Sequence, residues 1–381
     1  MIKFNSSPKP TIGVEIELQL IDNNTFNLKN IAPKILEDID KTFFNRIKYE
    51  LFESMIEINT DVCNSVEEVS KDIKQTLLHL KEVLKNYNTI INCSSLHPFA
   101  KGKDQVISND SRYKRIMNDL QIIGTRFITQ GLHVHIGVDN CENVIKINNA
   151  MRMYLPLLLA ISTSSPFYEG KDTGLYSYRT KIFESLPLAG LPDYLDSWNH
   201  FVILTNNLIK ADIIREVKDL WWEVRPHPGF GTVEVRICDV PINFKQLLSL
   251  VALIQALVIT LQNSDKQLDS HIQIFQSNKW QAVRYGLEGV FINPLTLKQK
   301  PIKKAIEDLC HLVEPIMVSL GTTKYIAVIQ EILEQGTGAL QQREIYNKFG
   351  SFEYMLNLRY YLINITFSDT LIPDVVAFTI Y

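Results

Sequence analysis

Apolar and polar residues alternate along residues 11–21, TIGVEIELQLI: Val14, Ile16 and Leu18 fall on one side, Glu15, Glu17 and Gln19 on the other. Side chains of a strand point alternately to its two faces, so this stretch predicts a β-strand with two neighbouring carboxylates on its polar face. Residues 49–60, YELFESMIEINT, predict a second strand bearing Glu50, Glu53 and Glu57. Parity puts Glu53 with Glu57, and Glu50 joins them only through a bulge or bend. In residues 126–139, RFITQGLHVHIGVD, His133 and His135 oppose Val134, Ile136 and Val138. In residues 233–237, which close the longer stretch WWEVRPHPGFGTVEVRICDVP, Glu234 and Arg236 oppose Val233, Val235 and Ile237. A short strand is expected at 89–96, ahead of a proline-set turn at His97-Pro98-Phe99 in which His97 is structural.

Between these strands the period changes to that of a helix. Val66, Val69, Ile73, Leu77, Leu80 and Leu84 predict a packed helix from Ser65, which with Glu68 has the spacing of a capping box. A polar helix is expected near 110–120, and an apolar one over 142–163 that Pro156 should kink near Met153. Residues 164–180, rich in glycine, serine and aromatics, predict a loop. From 243 onward the pattern is helical, at 243–263, 270–286, 300–320, 322–334 and 338–349, and the apolar end LIPDVVAFTI predicts an extended tail or a subunit contact. The expected layout is a sheet in the first two thirds and a helical final third.

Composition adds mainly exclusions. With 381 residues, 46% hydrophobic, 21% charged and a formal charge of -3, the chain fits a soluble globular enzyme and gives no bulk electrostatic reason to bind nucleic acid. The longest nearly apolar run, Leu247–Leu261, is too short to span a bilayer, and the N-terminal residues lack the apolar run of a signal peptide. Five cysteines without a C-x-x-C pair argue against a disulfide framework or a zinc ribbon, so a reducing, cytoplasmic location is expected.

Like charges side by side on a strand repel one another unless a cation lies between them. Any one of these strands alone fits a solvated sheet face equally well. Together, Glu15, Glu17, Glu50, Glu57 and Glu234, with His133, make an oxygen-rich set suited to Mg²⁺ or Mn²⁺ rather than to zinc. Arg225, Arg236 and Arg179 add the planar donors that hold phosphate. The chain has neither G-x-x-x-x-G-K-[ST] nor G-x-G-x-x-G, so ATP chemistry here would run without a phosphate loop.

The motifs GVEIEL, ESMIEINTDVC, HPF, GLHVHIGV, SSPF..GKDTG, WWEVRPHPGFGTVEVRICDVP and RYGLEG follow one another within residues 11–290. In that order they resemble the bacterial carboxylate-amine ligase family, also called glutamate-cysteine ligase type 2, a relative of glutamine synthetase. The resemblance implies an α+β fold: a curved antiparallel sheet, helices on its outer face and an active-site funnel inside. It implies one domain over 1–381, with a motif-bearing core at 11–290 and a helical extension at 291–381. Metal ligation by Glu15, Glu17, Glu50, Glu57, His133 and Glu234 follows from it, and the choice of Glu50 over Glu53 rests on it alone. His133, Arg225 and Arg236 would contact ATP phosphates, Glu234 and Arg236 would be catalytic, and His135 and Arg179 would line the substrate pocket. The implied cofactors are ATP and Mg²⁺ or Mn²⁺. The implied reaction joins glutamate to an amine such as cysteine through an acyl phosphate, and a homo-oligomer, such as a dimer, is expected. A phosphotransferase that stops at the phosphorylated product, and a non-catalytic binding protein, are the alternatives. Ser94-Ser95-Leu96 before His97 and the tail after residue 350 depart from the family pattern and bear on substrate identity.

Overall fold

The computed structural model describes residues 2–264 and 270–358, and the apolar tail lies outside them. Its centre is a seven-stranded sheet: β1 (Ile12–Asp22), β2 (Ile47–Tyr49), β3 (Met55–Asn59), β4 (Thr89–Asn92), β5 (Leu132–Gly137), β6 (Val224–His227) and β7 (Thr232–Val235). The order is β2-β3-β1-β5-β7-β6 with every pair antiparallel, and β4 pairs with β1 over Gln19–Asp22, beyond the stretch that pairs with β5. The fold is α+β, as the sequence implies.

One face of the sheet is dry. Val14, Ile16 and Leu18 of β1, Val134 and Ile136 of β5, and Val233 and Val235 of β7 are buried together in the main core. Each such aliphatic side chain stabilises the fold by about 1.5–3 kcal/mol when fully buried. The helix Phe244–Gln262 covers this face and packs against helices Val66–Lys85, Cys141–Met151, Ile302–Leu320 and Lys324–Gln335. It is the one unbroken helix among the described residues long and apolar enough to cross a membrane, but 78% of its most apolar window is buried in the protein. It is therefore read as the core helix of the fold.

Local expectations hold in part. Ser65 accepts the Glu68 N–H and caps Val66–Lys85, while the Glu68 carboxylate reaches back to the Asn64 N–H. The expected kink is a full break: Cys141–Met151 and Leu155–Ser162 are separate helices at 63°, with Pro156 in the first turn of the second. Residues 164–180 hold a two-stranded hairpin, Phe167–Tyr168 with Lys171–Asp172, and the start of the helix Tyr178–Phe183. The helical third contains a small hairpin, Val290–Ile292 with Gln299–Pro301.

The largest correction concerns residues 49–60, which are not one strand. β2 ends at Tyr49, the chain turns, and β3 runs back beside it with Lys48 opposite Glu57. Parity fails across a turn, so Glu53 does not share a face with Glu57, and Glu50 lines the same cavity as Glu57. The stretch 221–241 likewise holds two strands, joined through Gly231 at φ 66°, a backbone region that favours glycine.

Candidate active site

Residues paired across antiparallel strands share a face, and the register puts the charged residues of five strands in rows. Glu17 of β1 faces Glu57 of β3, Glu15 faces His133 of β5, His135 faces Glu234 of β7, and Glu234 faces Arg225 of β6. This face lines a cavity of about 440 Å³ whose walls include Glu15, Glu17, Glu50, Glu57, His133 and Arg236, as well as Arg179 and Arg225. Among the described residues two sets of ligand atoms lie within 4.8 Å of one another: Glu15, His133 and Glu234, and Glu17, Glu50 and Glu57. All six metal ligands named from the sequence fall in these two sets.

The first set is interlocked with arginine. His133 Nδ1 lies 3.2 Å from Glu15 Oε2, and His135 Nε2 lies 3.4 Å from Glu15 Oε1. Arg225 donates to Glu234 through Nε to Oε2 at 2.6 Å and Nη2 to Oε1 at 3.3 Å, and Arg236 Nη1 donates to the same Oε1. Two backbone carbonyls, of Lys218 and Leu220, each accept from Arg225 Nη1 at 2.9 Å and fix its plane. Burial alone would raise the Glu234 carboxyl, but the two guanidiniums hold it far below the usual carboxylate range. Burial opposes ionisation of Glu15 as well, and its hydrogen bonds to His133 and His135 outweigh that. Burial and the Arg236 charge push the His133 imidazole down, whereas for His135 the Glu234 and Glu15 charges overcome burial and push it up.

The second set carries carboxylates with too little compensating charge. Burial, then the neighbouring Glu17 and Glu57 charges, pushes Glu50 well above the ordinary range, and burial with the Glu15 charge pushes Glu57 up to about 7. Glu17 Oε2 accepts the Gly131 N–H at 2.6 Å, and Glu57 Oε1 accepts from Asn59 at 2.8 Å. Such a cluster fits a divalent cation, because hard cations take oxygen ligands and relieve this repulsion. Arg236 Nε and Arg179 Nε are buried without a hydrogen-bond partner, which fits an anionic ligand.

Arg179 reaches the cavity wall from the helix Tyr178–Phe183, with Nη1 donating to Ile237 O at 3.1 Å and Nη2 to Arg236 O at 3.2 Å. Gly131 is what lets it approach: a Cβ there would collide with the Arg179 guanidinium and come within 2.9 Å of His133 Nε2. His97 is away from the cavity. It is fully buried, its Nε2 donates to Phe26 O at 2.8 Å and its Nδ1 accepts from the Ala100 N–H at 3.0 Å, a structural role.

Sequence reasoning did not single out Lys48, Arg112, Tyr113 or Lys218, which also line the cavity. Arg112 and Tyr113 come from a polar helix, Ser111–Leu120, whose pattern says nothing about what it faces. Lys48 had a usable signal, two residues before Glu50, once the turn after Tyr49 is recognised.

A model of glutamate-cysteine ligase family 2 matches residues 11–356 of the chain. The chain belongs to that family. Curated members share about a third of its residues over nearly their whole length. A Gloeobacter violaceus protein carrying the name glutamate–cysteine ligase 2 is 38% identical, over 91% of this chain and 95% of its own. A Solibacter usitatus protein of the same name is 34% identical over 92% of each. Among solved structures, glutamate–cysteine ligase of Francisella tularensis in complex with AMP superposes with a TM-score of 0.74 at 15% identity, covering 97% of this chain and 91% of that one. A bifunctional glutathione synthetase of Pasteurella multocida superposes at 0.72 and 14% identity, over 94% of this chain and 53% of that one. These two likenesses concern the fold. As a member of glutamate-cysteine ligase family 2, the protein is a ligase of the carboxylate-amine class acting on small molecules.

Proposed function

We propose that this enzyme uses ATP to activate the γ-carboxyl of glutamate as an acyl phosphate and transfers it to the amine of a second amino acid. The observation that carries the reading is the pair of ligand sets, Glu15/His133/Glu234 and Glu17/Glu50/Glu57, side by side on one sheet face next to Arg225 and Arg236. Mg²⁺ or Mn²⁺ bound by these sets would supply positive charge to phosphate oxygens. Arg236, held by Glu234 and with its Nε free, is the protein's own donor to the transferring phosphoryl group. Arg225 serves to fix Glu234, and through it Arg236, because its donors already go to Glu234 and to backbone carbonyls. A carboxylate oxygen attacks the γ-phosphorus and ADP leaves. The amine nitrogen then attacks the acyl carbon, phosphate leaves, and the nitrogen loses a proton.

The test is ADP and phosphate release with Mg²⁺, ATP and glutamate across single amino acids, with mass spectrometry of the products. An amide formed in step with ADP supports the ligase. ADP with a stable phosphorylated product and no amide would replace it with a phosphotransferase.

A further inference from the structure

A second cavity, of about 730 Å³, opens beside the catalytic one, and Lys48, Tyr49, Arg112, Tyr113 and Lys218 belong to the walls of both. Tyr113 donates to the Tyr49 carbonyl at 3.2 Å, tying the helix Ser111–Leu120 to the edge strand β2 where the two spaces meet. One side of the second cavity is apolar, formed by Leu36, Ile39, Phe44 and Ile47. Phe44 is 50% exposed and Tyr49 47%, so the fold leaves aromatic surface open here.

The polar side is unevenly compensated. Asp110 caps a helix, Glu216 caps the turn at Val217–Asp219 and pairs with Lys218, and Asp219 lies 3.5 Å from Arg112 and 3.9 Å from Arg115. Lys48 makes no ion pair among the described residues but lies opposite Glu57, whose carboxyl its charge pulls down, and Arg112 keeps Asp219 as a partner while its Nε is buried without a hydrogen bond. Both line the second cavity, where a carboxylate would add to the acids they already face. On the catalytic side the next residue after Tyr49 is Glu50, a member of the second ligand set.

We propose that the second cavity holds the body of the amine substrate, and that this substrate is an amino acid with a large apolar side chain. Its amine points past Tyr49 and Tyr113 to the catalytic cavity, its carboxylate meets Arg112 and Lys48, and its side chain lies on Phe44 and Leu36. The inference rests on the ligase reading and sharpens it. Arg225, Arg236, His133 and the carboxylates Glu15, Glu17, Glu50 and Glu57 line the catalytic cavity, where the phosphate and the activated carboxyl react, so the space beyond Tyr49 is left to the partner amine. This open groove has room for a small-molecule ligand, and a glycine or cysteine side chain would leave its apolar wall uncovered.

The experiment measures kcat/KM with Mg²⁺, ATP and glutamate held fixed and glycine, alanine, cysteine, leucine or phenylalanine as the amine, each amide identified by mass. Leucine and phenylalanine are expected to exceed alanine and cysteine by at least about tenfold, the discrimination that burial of one such side chain supplies. Phe44→Asp, at a half-exposed position, should remove that preference by raising KM for the bulky amines more than for alanine; Phe44→Ala should fall between. Cysteine or glycine matching the bulky amines, or no change in their KM in Phe44→Asp, would overturn the inference and leave the ligase standing. ADP release with no amide from any amine would overturn both.

Discussion

Glu234→Gln tests the arrangement of the site through stability, independently of substrate. The Glu234 carboxylate is 1% exposed and accepts from Arg225 Nε, Arg225 Nη2 and Arg236 Nη1. Glutamine keeps the shape but removes the charge, and its amide nitrogen must turn toward a guanidinium that is also a donor. Hydrogen bonds to a charged partner contribute roughly 1 kcal/mol more than neutral ones, and three are affected, so the loss should be about 3 kcal/mol, at the lower end of what breaking a buried ion pair costs. For a chain of this length that corresponds to a fall in melting temperature of about 4 °C. The assay is thermal unfolding at neutral pH with a chelator present, so that metal does not enter the comparison. Arg225→Met combined with Glu234→Gln should be less damaging than the sum of the two by at least about 1 kcal/mol, since the second change no longer strands a charge. A Glu234→Gln melting temperature within about 1 °C of the parent, or strict additivity, would refute a buried triad in which one carboxylate holds two arginines.

Four other outcomes follow from the same geometry. Arg236→Lys should lower kcat for ADP release by roughly a hundredfold, because lysine offers no planar fork; retained turnover would remove Arg236 from the phosphate site. Gly131→Ala should displace Arg179 and cut activity to a similar degree, with a stability loss of about 1–3 kcal/mol; unchanged kinetics would show that the close approach is dispensable. Mg²⁺ or Mn²⁺ added to chelator-treated protein should stabilise it by about 3 kcal/mol at a hundredfold excess over Kd, less in Glu17→Gln, and no thermal shift with either ion would sink the metal sites. His97, pushed down to about 4 by burial, binds its proton more weakly folded than unfolded, where the ordinary value is 6.5. Its neutral form therefore contributes stability in full above pH 6.5 that is lost as pH falls toward 4, about 3 kcal/mol in all; urea unfolding of His97→Gln across this range should be flatter than the parent by that amount.

The strands that build the site were legible because each has one apolar face and one charged or polar face. Val14, Ile16 and Leu18 had to go to the core, so Glu15 and Glu17 had to go to the cavity, and the valines and isoleucine of β5 and β7 turn His133 and Glu234 to the same side of the sheet. What alternation cannot supply is register, because the pairing of residues far apart in the chain leaves no trace in either strand alone. Nothing in residues 221–241 says that Arg225 will lie opposite Glu234, and only that pairing turns a candidate phosphate ligand into the residue that positions another. The failure over 49–60 has the same root. Parity holds only while a strand continues, and the turn after Tyr49 brings Glu50 into the cavity that Glu57 lines, although counting had paired Glu57 with Glu53. Helices were placed by their apolar faces, but the wall built by Arg112 and Tyr113 comes from the polar face of one, where the pattern is equally consistent with open water. The candidate site common to the family is thus written on strands whose inward residues are forced, whereas the surface proposed to select the amine is formed where helix and edge strand meet. That is the part of this protein in which the sequence constrains structure least, and it is where its specificity should be sought.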